Sequence, residues 1–498
     1  MTEHQDIISS FDPNLANPGA GGRLGALSVY GQGPGRNGLR SVSNHYYKAL
    51  GPHLGFAYAF DPKTVIRGSY ALSYGPAWQK WYGSTGPSTP TAGFSATRQI
   101  ASLDNGVTPA FNWNSGFPLS FPRFPLIDPT LQNGSSLGFI DRSENRPPTS
   151  QNIGFEVARE LPWQMSIRVG YVGNFSHRLP STGGVDLNAI DLRHLSLGAL
   201  LNANINSAQA IAAGIPKPYA TFNGSVAQAL RPYPQYLNIP VLGAQIGTST
   251  YHALQANFQK RLGEGLTFLV AYTNSKQLTN VDFPGFTGLG TTLTQHPSVR
   301  GTAKTLLAKD RPQILNISWA YDLPLGSGKR YLGGARGAIN HIIGGWRLSA
   351  IQNYMSGEPI RVTSRQTIPG GFSGIWPNRV PDVPIVSTGC GNYNPGDPSR
   401  SQYLNLNAFA TAAPFTLGNV NRLPNVRNCG WADEAFQIEK IFPIREQISV
   451  NFGTMMMNIF NRHVFSGLQT DINNPAAFGR FTTTSPPRNI QFYLKVTF

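Results

Sequence analysis

A two-residue alternation of apolar and polar side chains, recurring in segments of similar length, limits this chain more than any other feature. In 163–173, Trp163, Met165, Ile167, Val169 and Tyr171 share one face, and Gln164, Ser166, Arg168 and Gly170 share the other. The closing segment repeats the pattern, with Ile490, Phe492, Leu494, Val496 and Phe498 opposing Asn489, Gln491, Tyr493, Lys495 and Thr497. Leu54, Phe56, Tyr58 and Phe60 likewise alternate with His53, Gly55, Ala57 and Ala59. Successive side chains of an extended chain point to opposite faces, so each segment predicts a strand with one apolar and one polar or small face. Similar segments lie near 64–74, 151–159, 251–261, 266–275, 313–322, 346–356, 433–441 and 447–457. Most have roughly the 9–11 residues that a tilted strand needs to cross a bilayer, against about five to six in soluble sheets.

The connections alternate between short and long. Tight links are Asp61-Pro62-Lys63, Glu160-Leu161-Pro162, Leu262-Gly263-Glu264-Gly265 and Phe442-Pro443-Ile444-Arg445-Glu446. Between the pairs lie stretches rich in Gly, Pro, Ser and Asn, at 75–150, 174–250, 276–312, 357–432 and 458–487. Outer-membrane barrels are built this way, with short periplasmic turns and long extracellular loops. A soluble sandwich rarely carries so many long irregular connections. The expected fold is therefore all-β, an antiparallel transmembrane β-barrel of about 11–14 strands, partial, occupying 23–498 after an irregular segment 1–22. The strand at 53–60 runs inward, so 23–30 is the candidate for an outward strand before it. One link, 323–345, is long although it falls on the short side. The Ala- and Leu-rich stretch 195–215 reads as a short amphipathic helix within a loop.

Composition agrees with strands in lipid. Only 13% of the 498 residues are charged, where soluble proteins have about 25%. Gly (54) and Pro (39) are abundant, which suits turns and strands and suits helical bundles poorly. No apolar run approaches the roughly 18 residues of a spanning helix. The start, Met1-Thr2-Glu3-His4-Gln5-Asp6, has neither the basic end nor the apolar core of a signal peptide, so the expectation is a piece of a longer precursor. The formal charge of +16 comes from dispersed Lys and Arg; without a basic run or helix face it marks no nucleic-acid footprint. Cys390 and Cys429 either close a loop disulfide in an oxidising compartment or remain two unpaired thiols.

No constellation for catalysis stands. The nine histidines are scattered, with no i, i+4 pair of the zinc-helix type. In Gly326-Ser327-Gly328-Lys329-Arg330 the residue after the lysine is Arg and the first glycine is out of place, so it is not a phosphate loop. Gly371-Phe372-Ser373-Gly374-Ile375 lacks the second glycine of a nucleophile elbow. The chain is not expected to be an enzyme, and no cofactor or metal is implied. Arg67, Glu156, Arg168, Arg261 and Lys495 belong to polar strand faces and are expected in the lumen, either along a path or against a plug, or as an ordinary solvated interior. Phe498, a terminal aromatic after an alternating strand, fits the signal read by barrel-assembly machinery.

Short matches in a shared order carry a resemblance. They include Leu54-Gly55-Phe56-Ala57-Tyr58 with Thr64-Val65-Ile66-Arg67-Gly68, and Arg231-Pro232-Tyr233-Pro234-Gln235-Tyr236. Tyr272-Thr273-Asn274-Ser275-Lys276, Tyr321-Asp322-Leu323-Pro324, Gly344-Gly345-Trp346 and Ser356-Gly357-Glu358-Pro359 follow. The last are Asn458-Ile459-Phe460-Asn461 and Pro487-Arg488-Asn489-Ile490-Gln491-Phe492. At these residues the chain resembles the TonB-dependent receptors of the Oar-like class, whose full members carry a carboxypeptidase-regulatory-like domain and a plug. It departs from them at Gly453-Thr454-Met455, where a basic-plus-acidic pair is usual. Nothing resembles the regulatory-like domain, the plug or the TonB box. The resemblance thus covers the later part of a barrel of about 22 strands. It implies a bacterial outer-membrane receptor that captures an imported ligand, not identified by any loop signature, and meets the TonB energy-coupling complex only through a plug. The alternative is a soluble or surface-attached β-rich binding or adhesion protein.

Overall fold

Strand pairing divides the chain into a large sheet and a set of loop-borne elements in the computed structural model. It describes residues 6–75, 91–94, 100–102, 104, 106–116, 123–182, 184–263, 265–282, 290–372, 374–445 and 448–498. A first hairpin joins β1 (Ser9–Asn17) to β2 (Arg23–Val29) and stays apart from the large sheet. The large sheet starts with β3 (His53–Asp61), β4 (Thr64–Tyr74), β5 (Thr149–Leu161) and β6 (Met165–Thr182). It continues through β7 (Ala244–Gly263), β8 (Leu266–Thr279), β9 (Gln313–Asp322) and β10 (Trp346–Met355). It ends with β11 (Trp431–Arg445), β12 (Ile448–Met457) and β13 (Asn489–Thr497). Each of these strands pairs with its neighbours in sequence, and every pair is antiparallel.

The register carries one apolar face across the whole sheet. Residues directly opposite in an antiparallel ladder share a face. The row Ile66, Val157, Val169, Ala256, Tyr272, Leu315, Tyr354 and Ala432 crosses eight strands without a charge. The row on the other face, Arg168, Asn257, Ala271, Asn316, Asn353 and Asp433, is small or polar. Aromatic residues rim the apolar face. Tyr70, Tyr74 and Tyr354 stand toward the long-loop ends of their strands, and Trp319, Tyr321 and Trp346 toward the turn ends. An apolar band between aromatic girdles is the lipid-facing surface of an outer-membrane barrel.

The sheet is open. Among the described residues β3 and β13 each pair along one edge only, and they stand at its two ends. Phe56, Tyr58, Phe492 and Leu494 on these strands are exposed. At the β3 end, the Phe56 ring lies over Gly68, where a Cβ would come within 2.1 Å of it. At the β13 end, the Tyr493 ring covers Gly453 in the same way.

The first hairpin corrects the expectation for the N-terminus. Segment 23–30 is no barrel strand, and 1–22 contains the strand β1. Phe11 and Leu27 pack with Leu137, Tyr236 and Ile239 from the long loops. Phe11 N donates to Gly138 O at 2.9 Å, and Gln235 Nε2 to Gly25 O at 2.8 Å. Because β3 runs from the long-loop end, the chain before it belongs with the loops.

Other boundaries move for local reasons. Trp163 and Gln164 both have positive φ, so they form the β5–β6 turn, and strand pairing resumes at Leu161 and Met165. β6 and β7 run past the expected ends, to 18 and 20 residues, because Ser, Thr and Asn pairs extend the ladder into the loop region. Phe442 and Pro443 still pair, with Val450 and Ser449, so the expected turn at 442–446 is mostly strand. The helical reading of 195–215 resolves into a 3-10 stretch, Leu192–Asn202, broken at Gly198, and a short α-helix, Ala208–Ala212.

Candidate binding site

The long connections fold into a cap with its own core at one end of the sheet. One cluster joins Ile360, Leu404, Phe409 and Phe478; another joins Ile190, Leu201, Ile205 and Val226. Among the described residues, none of the largest fully buried side chains, Tyr236, Phe478 and Leu404 among them, lies in β3–β13. Cys390 and Cys429 form a disulfide within the first cluster's region.

Two buried ion pairs tie the 280–312 connection to the 356–430 connection. Arg427 donates to Asp310 Oδ2 at 2.7 Å and to Asp310 O at 2.8 Å. Asp310 Oδ1 accepts from Gln277 N of β8 at 2.7 Å. Arg422 contacts the Asp282 carboxylate and donates to Leu306 O at 2.8 Å. Glu358 accepts from Arg311 at 2.9 Å and from Lys309 at 3.3 Å. A buried pair that keeps its extra hydrogen bonds holds geometry, and losing one partner strands a charge at about 3–5 kcal/mol.

Between these clamped loops and the end of β8 lies a cleft of about 910 Å³. Its wall carries Lys276, Lys304, Arg422 and Arg427 against a single carboxylate, Asp310. Asn274, Asn419, Asn421 and Asn425 add amides, and Trp376 adds an aromatic surface. The amide of Asn421 is buried with neither its oxygen nor its nitrogen hydrogen-bonded, an uncompensated cost that a polar neighbour would relieve. Lys276 and Lys304, which pair with no carboxylate among the described residues, together with several amides and a ring make this cleft suited to a polar solute of negative charge.

Deeper in the cap, His296 is sealed from solvent. Its Nε2 lies 3.0 Å from Ile190 O, and its Nδ1 accepts from Ser298 N at 3.2 Å. Burial holds its pKa below the usual 6.5. Burial also raises the Asp186 carboxyl, although its Oδ1 accepts from Asn188 N and Ile239 N, each at 2.8 Å.

The whole architecture has a counterpart in a family description. A family model described as an outer membrane beta barrel domain matches residues 1–491. The chain belongs to that family. Its place is the bacterial outer membrane. Solved structures similar to this barrel domain include Pseudomonas aeruginosa FpvA bound to heterologous pyoverdines, at 9% identity and TM-score 0.36, covering 90% of this chain and 32% of that one. The outer membrane transporter YddB from Escherichia coli is 8% identical at TM-score 0.36, with 87% of this chain and 38% of that one covered. The FrpB iron transporter from Neisseria meningitidis is 9% identical at TM-score 0.35, with 90% and 39% covered. The barrel domain thus spans about a third of the length of these proteins. No curated protein matches it in sequence.

In this outer-membrane barrel domain Arg67, Glu156, Arg168 and Lys495, predicted for the lumen, fall on the polar face but do not converge. Arg67 Nη1 lies 3.1 Å from Glu156 Oε1 across β4 and β5. Arg168 stands on the same face of β6, opposite Ala158 and Asn257. Lys495 is at the far end of the sheet, opposite Asn451. Arg261 lies in β7, with its side chain outside what the structure describes. Phe498 follows β13 and is 95% exposed. The motif Asn458-Ile459-Phe460-Asn461 has a physical basis. Asn458 and Asn461 both adopt positive φ, which Asn tolerates better than most residues. The Asn458 side chain bonds Arg462 N at 2.7 Å and Pro486 O at 3.0 Å, closing the exit from β12. Sequence reading missed the cleft, because Lys304 and Asn421 sit in irregular chain and Arg422 opens a strand of only six residues, Arg422–Arg427, within a long connection, too short for periodicity to mark an inward side.

Proposed function

We propose that this domain is the later part of the barrel of a TonB-dependent receptor, and that the cleft in its loop cap captures the ligand for import. The observation that carries this reading is a cap with its own core and a cationic cleft, set at the long-loop end of a membrane sheet. The shared order of motifs described above supports the receptor class. The free edges of β3 and β13 support completion by further strands, since every backbone group in lipid needs a partner. Both edge strands run from the loop end to the turn end, so antiparallel closure takes an odd number of added strands. Energy coupling would then reside in a plug within the completed barrel. The role is capture and passage, without covalent chemistry.

Outer-membrane vesicles carrying the protein can be incubated with small-molecule extracts of spent culture medium, and what is retained identified by mass spectrometry. The expected result is a retained anionic compound that Lys276→Glu with Lys304→Glu weakens at least about tenfold, as loss of charge-assisted hydrogen bonds requires. Equal retention by the double variant, or no retention at all, would sink the reading.

A further inference from the structure

The link 323–345 between β9 and β10 stands at the turn end, away from the cap, and has a defined structure of its own. Tyr331 N donates to Pro324 O at 3.0 Å, and Gly328 N to Gly333 O at 3.1 Å. Asn340 Oδ1 accepts from Ser327 N at 2.7 Å, which fastens the short helix Gly337–Ile343 to the preceding loop. Gly326, at φ +104°, allows this approach, because a Cβ there would meet Asn340 Oδ1 at 2.7 Å and Gly344 Cα at 2.8 Å.

On this fixed frame the apolar side chains face outward. Tyr331, Leu332, Ile339 and Ile342 are exposed, from 53% to 69%. The cations Lys329, Arg330 and Arg336 are exposed beside them, and 323–345 contains no Asp or Glu. The patch continues the lipid-facing surface of the sheet. Trp346 Nε1 donates to Ile342 O at 2.9 Å. Lys440 Nζ sits 5.3 Å from the Trp346 ring and 5.2 Å from the Phe442 ring, both on the apolar face. Apolar side chains interleaved with cations and no carboxylates, just beyond an aromatic rim, match what lies in the plane of a membrane interface.

We propose that 323–345 docks onto anionic phospholipid headgroups of the leaflet at the turn end, its apolar residues entering the headgroup boundary and its cations pairing with phosphates. This rests on the sheet's embedding in a bilayer and is independent of which ligand the cap captures.

The test uses the whole protein in its own outer membrane, with a photocrosslinking phenylalanine derivative in place of Ile342 and, separately, of Leu254 on the apolar face. Phospholipid adducts are expected at both positions, enriched in anionic headgroups at Ile342 alone. Combining Lys329→Gln, Arg330→Gln and Arg336→Gln is expected to cut that enrichment by about fivefold or more, at about fivefold per cation in contact with an anionic surface. The same variant should leave the adduct at Leu254 unchanged, and Lys replacements of the two arginines should keep the enrichment. A protein adduct at Ile342 would make the patch a protein-docking surface and overturn the proposal. So would no adduct there beside a lipid adduct at Leu254, or an enrichment that survives removal of the three cations. No lipid adduct at either position would overturn the embedding on which the proposal rests.

Discussion

In the sheet, Phe56, Tyr58, Phe492 and Leu494 stand exposed, whereas in the cap Phe478, Tyr236 and Leu404 are shut off from solvent. The two regions share a chain but answer to different solvents. The exposed apolar side of the sheet is tolerable only where lipid replaces water. The cap buries its apolar residues against one another, caps its helical turns with Ser207 and Ser225, and adds a disulfide and buried ion pairs, as a water-soluble domain does. β6 and β7 pass from one regime to the other without a break. Near the cap their inward side chains bond one another, as where Asn174 Nδ2 donates to Ser150 Oγ at 2.6 Å and to Asn152 Oδ1 at 2.7 Å.

If the cap is held by its own core, emptying that core should unfold it while the sheet stays intact. Phe478 is fully buried, so Phe478→Ala removes its transfer energy and leaves a cavity, at about 3–5 kcal/mol. Hydrogen exchange should rise through 403–409 and 465–484 and stay slow in β8 and β9. Simultaneous loss of protection in both regions would break the comparison, since it would make cap and sheet one cooperative unit.

The converse change tests the sheet. Val169 and Arg168 are neighbours on β6 that face opposite sides. Val169→Arg puts a charge on the lipid-facing side and is expected to cost about 2–4 kcal/mol near the bilayer midplane. Arg168→Ala on the polar side should stay within about 0.5 kcal/mol. Urea titration of the protein in vesicles, read by the folded band on a gel, measures both. Equal effects would mean that the two faces of β6 meet the same solvent.

How much of each region could be read beforehand follows the same division. β9 and β10 were legible almost to the residue, because Ile317, Trp319 and Tyr321 alternate with Asn316, Ser318 and Ala320, and a bilayer sets their length. The paired cysteines could be named as candidates from count and compartment alone. The hairpin β1–β2 could not be assigned, since Phe11 and Leu27 find partners at 137 and 236–239, far away in sequence. The cleft was illegible for that reason too. Arg422 and Asp282 are 140 residues apart, and each taken alone is an ordinary loop residue. Trp163 misled because an apolar aromatic extends the alternation, while its positive φ places it in the turn.

The smallest expected effect separates the regions by pH. His296 is 2% exposed in the cap. With Nε2 donating to Ile190 O and Nδ1 accepting from Ser298 N, the neutral imidazole is fully satisfied. A second proton on Nδ1 would break the bond from Ser298 and place a charge against Phe372, whose ring centroid is 4.6 Å away. The folded state therefore holds the histidine below its ordinary 6.5. At this histidine the unfolded cap binds more protons under mild acid than the folded one, so its contribution to stability is complete above about pH 6.5 and falls as pH drops toward the folded value, opposite in sign to that of Asp186, whose carboxyl burial raises. Amide exchange at Ile190 and Ser298, corrected for its intrinsic pH dependence, should show more frequent opening near pH 5.5 than near pH 7.5. His296→Gln keeps a side-chain donor and acceptor without titrating in this range, and is expected to flatten the response. A response that persists in this variant, or that β8 and β9 share, would assign the acid sensitivity to groups common to the whole barrel domain and remove the histidine as its origin.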